Sequence, residues 1–145
     1  MIAKTFSATV LGIDAHLIEV EVDVTVGMSV FNIVGLPDGT IKESRDRVLS
    51  AVNNSGFSFP VRRVVVNLAP APLRKIGSGF DLPIALALLG TMGLFPPENL
   101  NRAMVVGELS LDGEIRPVRG ILPVAVATRD HKLEQLILPK ANEAE

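Results

Sequence analysis

The chain has no cysteine, no tryptophan and no tyrosine among its 145 residues, and each absence removes a class of chemistry. Without cysteine there is no disulfide framework, no thiolate metal centre and no thiol nucleophile, which fits a reducing compartment. Six phenylalanines are the only aromatics, so platforms for stacking single-stranded nucleic acid are scarce. The longest uncharged apolar run, residues 82–95, is shorter than the ~20 residues that cross a bilayer and contains Pro83, Gly90 and Gly93. It reads as a buried helix, and no membrane role is expected. Met1 to Phe6 lacks the charged region, apolar stretch and cleavage site of a secretory signal, so a cytoplasmic location is expected. No GxxxxGKS/T or GxSxG pattern occurs, so Gly77-Ser78-Gly79 is neither a P-loop nor a nucleophile elbow.

What is present suffices for one folded domain. Hydrophobic residues make up 48% against a net charge of −2, so apolar burial outweighs the ordering entropy. Ile18, Val20, Val22, Val24 and Val26 alternate with Glu19, Glu21, Asp23 and Thr25, the period of a strand with one solvated face. Strands around residues 6–11 and 30–34 suggest an antiparallel meander with it. Thr40 and Glu43 form a capping-box pattern ahead of a helix with Ile41, Val48, Leu49, Ala51 and Val52 on one face, leaving Arg45, Asp46 and Arg47 outward or sideways.

Val64 to Leu68 reads as a buried strand, and Asp81 as the N-cap of an all-apolar central helix. Met104 to Glu108 forms a further strand, and Asp112-Gly113 predicts a two-residue type I′ hairpin. A helix over 118–128 and a strand over 133–138 complete an α+β fold, a sheet covered by two or three helices.

Charge is unevenly spread. Between Thr40 and Lys75 the basic residues Lys42, Arg45, Arg47, Arg62, Arg63, Arg74 and Lys75 outnumber Glu43 and Asp46, giving +5 and leaving −7 elsewhere. Such asymmetry marks either a solvated face or one that meets phosphate or an acidic neighbour. His16 and His131 stand apart from any ligand-spaced cluster, and Glu108, Asp112 and Glu114 are ordinary residues of a tight turn. Ser78 follows Lys75 by three residues, but a loop lysine beside Arg74 is expected to be solvated and charged, which disables it as a base. Free N–H groups at Gly77 to Gly79 could meet an anion, although Asp81 opposes one.

Several long motifs occur in a shared order: residues 31–37 (FNIVGLP), 42–48 (KESRDRV), 53–57 (NNSGF), 66–71 (VNLAPA), 79–85 (GFDLPIA) and 106–120 (VGELSLDGEIRPVRG). Together they resemble the N-terminal domain of the YifB/ComM family, also called magnesium-chelatase-like proteins. The resemblance implies a ribosomal protein S5 domain 2-like fold, shared with the Lon protease domain and with the C-terminal domain of RadA/Sms. It also implies an accessory domain, residues 1–139, with 140–145 starting a linker to an AAA+ ATPase module. Members of the ComM type are hexameric ATP-driven helicases that promote branch migration in natural transformation. ATP and Mg2+ are accordingly expected in that module and no cofactor in this segment. The expected partners are the AAA+ module, neighbouring protomers and DNA, the last through the seven basic residues named above.

The Lon nucleophile lies in a lysine, variable, glycine, proline, serine stretch. Aligning Lys75 and Gly77 with it places Gly79 on the serine, and Gly120-Ile121-Leu122 places Leu122 on the catalytic lysine. Both dyad members are lost in this alignment, so no catalytic residue is expected. The alternative is a diverged Lon-like serine peptidase using Ser78, with Lys75 beside it.

Overall fold

The computed structural model describes residues 1–144. Strands β1 (Ile2–Leu11) and β2 (Asp14–Thr25) form an antiparallel hairpin turned at Gly12, with Thr5 opposite Val20 and Ser7 opposite Ile18. After β3 (Val30–Val34) come a short helix α1 (Gly39–Lys42), helix α2 (Ser44–Asn54) and β4 (Arg63–Ala69). Helix α3 (Asp81–Thr91) leads through a 3-10 turn to β5 (Ala103–Val105) and the small hairpin β6 (Glu108–Leu109) and β7 (Ile115–Arg116). Helix α4 (Ile121–Asp130) and β8 (Gln135–Ile137) follow. The main sheet has six strands in the order β3-β4-β2-β1-β5-β8. This is the mixed α+β architecture expected, with helices on both faces.

The expected meander is corrected at its third strand. β3 pairs in parallel with β4, and β4 lies between β3 and β2. Val64, Val66 and Leu68 are fully buried, whereas Asn32 and Val34 are exposed, so the more apolar strand takes the inner position and β3 the edge. Strands β1, β3, β4, β5 and β8 therefore run the same way, and β2 alone runs against them.

One face of the sheet presents Ile18, Val20, Val22, Val64, Val66 and Leu68 to α2 and α3 in the larger core. α3 is central because it is apolar all round; Leu82, Ile84, Ala87 and Leu88 are all buried. Full burial of each large aliphatic side chain contributes roughly 1.5–3 kcal/mol. Across the sheet, Ile121, Val124 and Ala127 of α4 cover Ala8 and Met104 in a second cluster. The rest of that face carries Lys4, Glu19, Glu21, Arg63 and Asn67, with Asn67 Nδ2 donating to Glu21 Oε1 at 3.0 Å.

Local signals shift in four places. Asp38, not Thr40, caps α1 by accepting from Ile41 N at 2.8 Å, and the helix breaks at Glu43 before α2. Leu49 faces solvent although Val48, Ala51 and Val52 are buried. The β6–β7 turn is a three-residue loop, with Gly113 N bonded to Ser110 O and Ser110 N to Glu114 O. Only Gly113, at φ +92, takes the left-handed conformation, whereas a type I′ turn needs two such residues. α4 starts at Ile121, behind Gly120 at φ +77, rather than at Val118.

Gly35, at φ +105, passes so close to β4 that an added Cβ would lie 2.1 Å from the Leu68 carbonyl oxygen. Gly35→Ala is expected to cost about 2 kcal/mol or more, because backbone strain and overpacking act together. Chemical denaturation reads this directly, and an unchanged midpoint would refute it.

Candidate functional site

Because the five co-directional strands end together, the N-termini of α1, α3 and α4 and the loops 35–38, 70–80 and 117–120 gather at the carboxyl end of the sheet. Open sheets place their binding crevices at this end. Its central feature is Asp81, the first residue of α3 and fully buried. The expected N-cap is corrected here, because Phe80 occupies the cap and the Asp81 carboxylate turns to other elements. Arg47 Nε donates to Asp81 Oδ2 at 2.6 Å, and Arg47 Nη2 to Oδ1 at 3.1 Å. Ser44 Oγ donates to Oδ1 at 2.5 Å, and Leu109 N to Oδ2 at 3.0 Å.

Ser44 and Arg47 lie three apart and so share one face of α2. Arg47 also donates to Thr40 O at 2.8 Å. It thus points inward, where an outward or sideways orientation was expected. Its guanidinium is held above its ordinary pKa chiefly by the hydrogen bond to Asp81, with burial acting the other way.

A second set of contacts fixes the loop ahead of α3. Lys75 N donates to Leu36 O and Asp38 N to Lys75 O, both at 3.1 Å. Asp38 Oδ2 also accepts from Gly77 N at 3.2 Å. Lys75, expected in solvent, is instead fully buried. Its Nζ donates to the carbonyl oxygens of Pro70 and Ala71, and burial lowers its pKa. The sequence pattern hid this because a charged residue beside Arg74 reads as solvated, whereas the alkyl stem is enclosed by a proline-rich turn.

Ser78 and Gly79 line a cleft of about 170 Å³ together with Val10, Val106, Val118 and Arg119. Gly79 leaves room there, since an added Cβ would lie 3.5 Å from Val118 Cγ1. Leu122, at the start of α4, is 65% exposed. Neither position supplies a nucleophile or a base. Ser78 and Lys75 make no hydrogen bond with each other among the described residues, and Lys75 directs its ammonium at Pro70 and Ala71. A wider cleft of about 500 Å³ is lined by Arg47, Leu109, Ser110, Asp112 and Arg116. Ser110 donates to Asp112 and holds that carboxylate below its ordinary pKa. Among the described residues no group of three or more histidines and carboxylates could hold a metal ion, and His16 and His131 are exposed.

The seven basic residues do not form one surface. Lys42, Arg45 and Arg74 are exposed near the carboxyl end, where Pro37 pairs with Lys75. Arg62 and Arg63 are exposed at the opposite end, before and at the first residue of β4. The strand between these groups, Arg63–Ala69, spans about 20 Å at 3.3 Å per residue. Arg47 and Lys75 are engaged inside.

The family model for subunit ChlI of Mg-chelatase matches residues 20–142, a span that takes in the Asp81 network, the loop that carries Ser78 and Gly79, and the small hairpin. The chain belongs to this family. Within it, the chain is 41% identical to Competence protein ComM of Haemophilus influenzae, over 99% of this chain and 28% of that protein. It is 43% identical to YifB of Escherichia coli, over 93% of this chain and 26% of that protein. At lower identity, 27%, it matches Lon protease of Treponema pallidum over 92% of this chain and 16% of the protease. The chain thus spans about a quarter of the length of its ComM and YifB relatives. Among the described residues no helix is long and apolar enough to cross a membrane.

Sequence reasoning missed several residues of this ChlI-like domain. Arg116 and Arg119 line clefts yet fall outside the basic segment, and Asn142 fastens the 3-10 turn Lys140–Asn142 by exchanging hydrogen bonds with Val118 N and O at 2.9 and 3.0 Å. For Asp81 a signal was present, since a carboxylate opening an all-apolar helix must find a cation, and the Ser44 and Arg47 spacing offered one.

Two predictions follow from these contacts. Arg47→Met leaves the Asp81 carboxylate buried without its cation and is expected to lose about 3 kcal/mol. Adding Asp81→Asn, whose amide oxygen still accepts from Leu109 N, is expected to restore part of that loss. Denaturant titration of both variants checks this, and a double variant weaker than the single would refute it.

Lys75 gives a pH dependence. Its folded pKa lies below the ordinary value of 10.5, so across that window the unfolded chain binds more protons and stability rises with pH. Wild type is therefore expected to gain on Lys75→Met as the pH rises toward 10.5. Parallel stability curves for the two proteins would contradict the assignment.

Proposed function

We propose that this chain is the non-catalytic accessory domain of a cytoplasmic AAA+ ATP-dependent DNA-processing protein of the ComM type. In this reading ATP and Mg2+ bind the AAA+ module. The domain helps to assemble the hexameric ring and contacts DNA during branch migration in natural transformation. The observation that carries it is the similarity to a competence protein over 99% of this chain, at positions where the Lon dyad is replaced by Gly79 and Leu122. A domain that keeps such a fold while lacking nucleophile and base serves binding or assembly.

DNA contact is assigned to the exposed Arg62 and Arg63, with Lys42, Arg45 and Arg74 as a second group. Basic side chains neutralise phosphates and make affinity salt-dependent. The peptidase alternative is not favoured, because Lys75 is turned to the carbonyls of Pro70 and Ala71 rather than to Ser78.

The test is made in the intact protein. Arg62→Glu with Arg63→Glu is expected to weaken DNA binding roughly tenfold or more and to lower the logarithmic salt slope by about two. Unchanged affinity and unchanged branch migration would count against the reading. A serine-reactive probe is expected to label wild type and Ser78→Ala equally; labelling lost only in Ser78→Ala would revive the peptidase.

A further inference from the structure

The end of the sheet that carries Arg62 and Arg63 has an unusual tip. β2 and β3 lie on either side of β4, so the loop 26–29 arches over the start of β4 and spans two strand spacings, about 9.5 Å. Arg63 anchors this geometry, since it pairs with Thr25 on one side and Val30 on the other. A Cβ on Gly27 would lie 3.7 Å from the Arg63 Cβ. Val61 and Arg62 emerge beneath the arch as the chain enters β4.

Three apolar side chains at this tip are left in solvent: Val26 is 84% exposed, Met28 81% and Val61 84%. None belongs to either hydrophobic cluster. The two segments that meet there, 24–30 and 53–63, contain no aspartate or glutamate and bring two arginines. Asp23, just before them, has the Met1 ammonium 3.6 Å away.

We propose that this arch is a wedge against the exposed base faces of DNA at a strand junction, with Val26, Met28 and Val61 on the bases and Arg62 and Arg63 on the flanking phosphates. The inference rests on the DNA-processing reading above and adds what that reading lacks, a part of the surface that distinguishes an opened duplex from a closed one. Apolar side chains set between basic ones unstack or cover base steps, while phosphate contacts position the protein without reading sequence. A continuous duplex hides its base faces and offers the arginines alone a partner. The charge is complementary to a polyanion, and the tip has too few basic residues for the clusters of about four to eight that hold a protein on anionic lipid. Its three solvent-facing apolar side chains are aliphatic, while Phe59 packs on Phe31 and Phe57 lines a pocket with Leu82 and Leu86, so the tip presents none of the aromatic anchors that dominate protein interfaces.

The experiment compares wild type, a Val26→Ser/Met28→Ser/Val61→Ser variant and the Arg62→Glu/Arg63→Glu variant in the intact protein. Fluorescence anisotropy is read on a forked DNA and on a continuous duplex of equal length, with a thermal melt as the folding control. The serine variant is expected to lose roughly tenfold on the fork and less than about twofold on the duplex.

Wild-type binding of the serine variant to both DNAs, while the arginine variant loses both, would overturn the wedge and leave the DNA reading standing. If neither variant changes binding to either DNA, the DNA reading falls and the wedge with it. Equal loss on fork and duplex also refutes the wedge. So would loss only on phosphatidylserine vesicles, or a change only in oligomer size.

Discussion

A carboxylate that opens an apolar helix inside a protein must be satisfied completely, and the arrangement around Asp81 is how this domain meets that demand. Its acceptor sites are taken by groups from two other elements, Ser44 and Arg47 of α2 and the Leu109 N–H of the small hairpin. α2 therefore cannot slide along α3 without exposing a buried charge, and the hairpin cannot lift without stranding an acceptor. The same helix start is held on its other side by Leu82 N donating to Gly107 O and Gly107 N to Gly79 O, each at 3.0 Å. The cleft beside Ser78 inherits its shape from that clamp. Losing one donor is far more damaging than the net stability of the group suggests, because the remaining charge stays out of water.

The carboxyl end gathers helix starts and clefts, and the charged groups buried there are engaged within the protein. Helix starts converge there, glycines bring backbone close to a cleft, and a lysine is buried nearby. Gly79 brings no side chain to the cleft beside Ser78, and Leu122 is an exposed aliphatic residue in the first turn of α4. Asp38, Lys75 and Asp81 act within the protein to fasten loops and helices, while Ser78 and Arg119 line the cleft.

Strong periodicity was legible in the sequence and long-range pairing was not. β2 shows itself by strict alternation, since Ile18, Val20 and Val22 line one face, and α3 by being apolar on every side. Both signals are local. The place of β3 depends on competition between two strands for the sheet interior, which no window of sequence contains. Arg47 and Lys75 misled for the same reason: charge predicts solvent unless the partner is known, and Asp81 lies 34 residues from Arg47. Local pattern likewise marked a turn at Gly113 but not its length. The loop was set by contact with α2, where Asn54 Nδ2 donates to Leu111 O at 2.8 Å and a Cβ on Gly113 would meet Ser55 Oγ at 2.2 Å.

The arch over β4 also bears on how the sheet comes together. Its short tether holds β3 two strand spacings from β2, so the pair frames a slot rather than a hairpin. β4 fills it, with an antiparallel ladder to β2 on one side and a parallel ladder to β3 on the other. An edge strand joined this way has no independent existence. Among the described residues β3 has no ladder partner but β4, the strand whose Val64, Val66 and Leu68 seal the core, so β3 is expected to open together with β4 rather than by itself.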